Sequence, residues 1–393
     1  MRVAGAARSA FPPQEPTPMN TPVRAKAASL PVKRGDLRPL QRAPLLVLGF
    51  AGLLVGAGAG LARLGWSVPA AAAALTPLHG ALMICAFFGV VISLERAVAI
   101  GRYWAYLGPL LGGAGCVAAI AGASAIAAWG FVAASLVLLA ASIDIFRRQT
   151  ALFTFTLALG AACWAVGNSL WAAGSTVHDV VTWWFAFLIL TIAGERLELS
   201  RFLAPSRVAK WTFAAIVVVI GAGLFGAWSR WGAQAFAIGL LALAAWLLKQ
   251  DIARRTVRNR GLTRFIAVCL LSGYVWLAVG GGIILASGGL WPGAPSYDAA
   301  LHALGLGFVF SMVFGHAPII VPAVLRVNVP YHPTFYGPLA LLHASLVVRI
   351  TGDASGQFAW TRVGGLLNAL ALAAFILSTV SAAVRGKRSA SVR

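Results

Sequence analysis

Apolar residues fall in long runs along this chain, and polar residues collect in the short stretches between them. A run of about 20 apolar residues is what a helix needs to cross a hydrocarbon layer, where lipid offers no partner to a free backbone amide or carbonyl. Twelve such runs are legible, at about 44–64, 74–95, 103–122, 125–145, 150–173, 179–197, 210–228, 232–249, 264–287, 298–325, 334–350 and 358–384. The pattern predicts an all-α polytopic membrane protein of 12 transmembrane helices. Ahead of the first run, residues 1–43 carry eight basic residues and many prolines, which reads as a disordered basic tail. Residues 385–393 read as a second, short basic tail.

Composition supports this. The chain is 60% hydrophobic and 10% charged, where soluble domains carry about a quarter charged residues. The net charge of +21 is distributed unevenly: of 31 Lys and Arg, all but Arg63, Arg230, Arg349 and Arg362 fall on one side of the predicted spans. That bias orients the chain with both termini in the cytoplasm, and it assigns the charge to the bilayer rather than to nucleic acid. The four cysteines, Cys85, Cys116, Cys163 and Cys269, sit inside apolar runs without a C-x-x-C spacing and read as buried small hydrophobes.

A repeat runs through the chain. The second span opens on His79 and ends in VISLERAVAIGR, the sixth is preceded by His178 and ends in TIAGERLELSRF, and the tenth opens on His302. Histidines recurring at every fourth helix suggest three arcs of four helices. Imidazoles in a membrane span are costly, which makes them the candidates for chemistry. His79, His178 and His302 fall near the outer rim. His316 and His343 fall deeper, at similar depth on the tenth and eleventh spans. Between His302 and His316, 14 residues at about 1.5 Å each cover roughly 21 Å, and ideal α-helical geometry turns both rings to a similar face. Facing imidazoles suit bis-histidine haem ligation or a copper site, with His79 and His302 forming one candidate pair and His316 and His343 another. His332, in a PYHP turn, reads as a loop residue.

Other polar positions have plainer readings. Glu95 and Glu195 are expected to pair with neighbouring arginines (Arg96, Arg102, Arg196 or Arg201). Asn168 is expected to hydrogen-bond across helices, and Trp183, Trp184 and Trp291 to lie in interfacial belts. Pro318 and Pro322, just after His316, are expected to break the helix ladder.

The runs LHGALMICAFFG (78–89) and HALGLGFVFSMVFGHAPIIVPAVLR (302–326) resemble the NnrS family, twelve-helix bacterial membrane proteins that contain haem and copper and are linked to nitric oxide metabolism. The same plan is similar to subunit I of haem–copper oxidases. The resemblance implies His79 and His302 as haem or metal ligands, with His316 added by position; His178, in the outer layer, is a further metal candidate from its place in the chain. It implies haem and/or copper as cofactor, nitric oxide as a small gaseous ligand and a redox protein as partner. The chain departs from the oxidases in having no His-His pair in the seventh span and no His-x-His in the tenth. Oxygen reduction by the oxidase route is therefore not expected. A proton-coupled secondary transporter using the same histidines, or an assembly factor, are the other classes compatible with twelve spans.

Overall fold

The structure, a computed structural model, describes residues 35–391 other than 204, 227 and 228, with the side chains of residues 202 and 388–391 also left undescribed. Every regular element among the described residues is helical. Twelve helices are long and apolar enough to span a membrane: α1 (Pro39–Arg63), α2 (Thr76–Ile100), α3 (Tyr103–Ile120), α4 (Ser124–Arg148), α5 (Leu152–Ala172), α6 (Val177–Ser200), α7 (Arg207–Phe225), α8 (Arg230–Gln250), α9 (Gly261–Ala286), α10 (Pro295–Leu325), α11 (Pro333–Ser355) and α12 (Phe358–Lys387). The predicted spans match these within a few residues. The end of the bundle bearing the basic clusters is called the basic end below, and the other the opposite end.

Helices adjacent in sequence lie side by side, α12 returns to α1, and α2, α6 and α10 meet one another in the middle. The second helix of each successive group of four is thus the central one, the arrangement suggested by the histidine repeat. Central α6 is the most buried of the twelve. Close approach at this centre depends on small residues: a Cβ on Gly89 of α2 would come within 2.2 Å of the Trp164 ring of α5. Trp164 and Trp184 are fully buried. Asn168 ties this core together, donating to the Phe131 carbonyl at 3.0 Å and accepting from Trp184 Nε1 at 2.9 Å and Cys85 Sγ at 3.2 Å. A carboxamide with its groups satisfied across several helices suits a region without water. All four cysteines are buried and free.

Several expectations need correcting. The stretch read as a tail to residue 43 overlaps α1, which starts at Pro39; residues 1–34 lie outside the described residues. Arg42 is 1% exposed, and it donates to Asp36 at 2.7 Å and to the Val324 carbonyl of α10 at 3.0 Å. Asp36 also accepts from Tyr106 at 2.5 Å. A guanidinium so enclosed persists because its donors are matched by a carboxylate and carbonyls. Trp183 and Trp184 point into the core instead of an interfacial belt, because central α6 has neighbours all round; Trp291 does lie exposed, as expected. Pro318 and Pro322 do not break the helix: Ser311–Leu325 continues through both and stops at Arg326, in the left-handed conformation with φ 54°. Each proline withholds one ladder bond, from the carbonyls of Phe314 and Pro318, and the helix continues around these gaps.

The irregularity in α10 lies elsewhere. Ala303–Phe310 is π-helical, and so is Leu82–Phe88 in α2. Each π segment begins within one turn after a histidine, His302 and His79. π-Helical turns displace the ladder by one residue and recur at functional sites.

Candidate functional site

The two π segments converge on a cavity of about 700 Å³ enclosed by α1, α2, α6, α10, α11 and α12 toward the opposite end of the bundle. That volume is in the range of small-molecule and cofactor sites. Phe88, Phe185, Leu188 and Phe310 form its apolar wall, and His79, His178 and His302 line it.

His79 and His302 are brought together. Their ring centres are 6.2 Å apart and the rings 16° from parallel. The rings lie stacked at this separation, close enough to share one metal, with metal–nitrogen bonds of about 2.0–2.1 Å, once their Nε2 atoms turn to a common point. Each ring is held through Nδ1. His79 Nδ1 donates to the Gly56 carbonyl of α1 at 2.7 Å, and His302 Nδ1 donates to the Asp298 carbonyl at 2.8 Å, with Asp298 Oδ1 at 3.3 Å. A carbonyl only accepts, so the ring proton sits on Nδ1 and the lone pair on Nε2. Neither Nε2 is engaged by another described residue. A ligating histidine is commonly oriented in this way by a carbonyl or carboxylate behind it. Gly60 is part of the arrangement, since a Cβ there would meet His79 Cε1 at 2.7 Å.

Asp298 extends the support. Its carboxylate receives both Nε and Nη2 of Arg349, at 2.8 and 3.0 Å. Asp353, nearby in the wall, accepts from Thr361 at 2.8 Å through Oδ1, and its Oδ2 is sealed without a donor. His178 takes a different partner: its Nδ1 lies 2.8 Å from the Tyr297 hydroxyl, at an exposed position on the rim. Among the described residues, no group of three or more His, Cys, Asp or Glu is placed to hold a metal ion.

The deeper histidines are not paired. His316 faces α6: its Nδ1 donates to the Met312 carbonyl at 2.6 Å and its Nε2 accepts from Arg196 at 2.8 Å. His343 faces α9, where Trp276 Nε1 donates to its Nδ1 at 2.9 Å and its Nε2 meets Ser272 Oγ at 3.0 Å. In both rings the lone pair is already used. His332 is an exposed loop residue whose Nδ1 receives the Thr334 amide at 3.3 Å. Glu95 and Glu195 make no ion pair with any described residue and lie within electrostatic range of each other. The local pairs at the basic end are instead Arg148–Asp144 at 2.6 Å and Arg201–Glu198 at 3.7 Å.

Sequence reasoning did not single out Gly56, Gly60, Asp298 and Arg349 as parts of this site. The four-residue spacing of Asp298 and His302 is the signal that could have found one of them. Residues 42–384 match the family model described as Domain of unknown function (DUF8744), and the chain belongs to that family. A search of curated proteins finds no match.

Proposed function

We propose that the chain is a haem-binding protein of the cytoplasmic membrane in which His79 and His302 would hold the haem, serving electron transfer in nitric oxide or respiratory metabolism. The observation that carries this is the pair of imidazoles on α2 and α10, each pinned at Nδ1 by a carbonyl and centred 6.2 Å apart in the wall of a 700 Å³ cavity. Two protein ligands fit a porphyrin, which brings four nitrogens of its own, and the apolar walls and volume suit a large planar ring better than a lone copper ion. Bound there, an iron porphyrin supplies one-electron chemistry.

The chain's own residues do the rest. Gly56 and Asp298 fix the tautomer of the two rings, and Phe88, Phe185 and Phe310 give the cavity an apolar wall. Nitric oxide would be the small gaseous ligand of a group held by these two histidines. The resemblance of 78–89 and 302–326 to the NnrS family supports the same reading and supplies its metabolic setting. A partner redox protein belongs to this proposal as well. His316 and His343 are left out of the ligand set because both nitrogens of each ring already have partners. A proton-coupled transporter has less support, since that class is usually built on two repeated halves and here the centre is threefold.

The test is an absorption spectrum with metal analysis of detergent-purified protein from haem-supplemented cells. A Soret band with sharp reduced-state bands of a low-spin, bis-histidine iron is the expected result. Protein free of haem under these conditions overturns the proposal.

A further inference from the structure

Four arginines stand on the side of the membrane where the positive-inside bias disfavours them: Arg63, Arg230, Arg349 and Arg362. Topology gives no reason for them. Two of the four, Arg63 at the end of α1 and Arg349 in α11, line the cavity that holds the histidine pair.

Their bonding differs from that of arginines serving structure alone. Arg362 lies over the Trp66 ring at 4.2 Å and donates to the Gly65 carbonyl at 3.1 Å, outside the cavity wall. Arg349 is held rigid by its fork on Asp298, with its side chain 8% exposed, and this fork uses only Nε and Nη2. Its Nη1 makes no hydrogen bond to a described residue. Arg63 is exposed at the mouth and makes no hydrogen bond or ion pair with any described residue. A nine-tenths buried guanidinium with an open nitrogen, in one wall with a second unpartnered guanidinium, matches an anionic group on whatever fills the cavity. The carboxylates in the wall do not meet that need: Asp298 is spent on Arg349 and His302, and Asp353 turns one oxygen to Thr361 and has the other sealed.

We infer that Arg63 and Arg349 form a carboxylate-recognising rim, and that the ligand of this cavity is a tetrapyrrole with free acid side chains directed at that rim. The inference rests on the haem reading above and adds the ligand's charge and its orientation, acid groups toward the cavity mouth. It also gives Asp298 a second task. One carboxylate backs the His302 ring and the Arg349 fork, so the metal ligand and the anion site are positioned together.

The experiment is a titration of apo-protein in detergent with iron protoporphyrin IX and, separately, with its dimethyl ester, which has the same ring and iron without the acid groups. Binding is read from the Soret band, for the wild type, Arg63→Gln and Arg362→Gln. The expected result is wild-type affinity at least tenfold higher for the acid than for the ester. Arg63→Gln shrinks that ratio at least threefold by weakening only the acid, while Arg362→Gln preserves it. Equal affinity of the wild type for acid and ester overturns the rim while leaving the bis-histidine haem reading intact, and needs no variant to fold. A ratio unchanged in a folded Arg63→Gln protein likewise overturns it. If neither porphyrin gives a bis-histidine spectrum, the haem reading fails and takes the rim with it.

Discussion

The two histidine layers of this bundle contain the same side chain in the same lipid-embedded setting, and they are wired in opposite ways. In the layer toward the opposite end, carbonyls of Gly56 and Asp298 take the Nδ1 protons and leave both Nε2 lone pairs without a partner among the described residues. In the deeper layer, Arg196 occupies the Nε2 lone pair of His316, and Trp276 occupies the Nδ1 lone pair of His343. A metal needs a lone pair, so only the first layer can ligate without first breaking a protein bond. The residue behind an imidazole therefore says more about its role than the depth of the imidazole does. α10 carries one histidine of each kind, on either side of its π segment.

The largest test of this contrast is deletion. His79→Ala and His302→Ala should each abolish the low-spin spectrum, whereas His316→Ala and His343→Ala should retain it at wild-type haem content, read by absorption and pyridine haemochrome. Loss of the spectrum in His316→Ala alone would reverse the assignment of the two layers. Next in size, Asp298→Asn weakens both the backing of His302 and the Arg349 fork. Haem affinity should fall about 10–100-fold, as for other partners behind a ligating histidine.

A backbone test follows. Gly60→Ala places a Cβ 2.7 Å from His79 Cε1 and must shift the ring, whereas a Cβ at Gly282 meets nothing within 4 Å. Soret titration should show affinity about tenfold lower for the first and unchanged for Gly282→Ala. The smallest effect belongs to the deeper layer. His316→Ala strips a buried, charged donor of its acceptor and should cost about 1.5–3 kcal/mol of stability, seen as a lower Tm in detergent with the haem spectrum intact.

Depth in the membrane was legible in the chain and azimuth was not. His79 and His302 were expected at a common level, and they meet. His316 and His343 were also expected at a common level, and they face different helices, α6 and α9. The expectation that His302 and His316 share a face assumed α-helical phase throughout, and the π segment Ala303–Phe310 interrupts that phase. The ion pairs expected for Glu95 and Glu195 failed for a related reason. Sequence neighbours on a helix point in different directions, and two of the pairs at the basic end form at spacings of three and four instead, Glu198–Arg201 and Asp144–Arg148.

By itself the sequence determined the twelve spans, their limits to within a few residues and the fourfold-interval recurrence of histidine, because lipid makes each helix satisfy its own backbone and present about 20 apolar residues in a row. Those are local constraints, and a string of letters records them fully. Only the tertiary structure decided which imidazoles meet and which lone pairs remain open. It also turned two of the four misplaced arginines toward the same cavity. Such facts depend on rotations accumulated over hundreds of residues and on partners as distant in the chain as Gly56 from His79, or Asp298 from Arg349, and no local pattern encodes them.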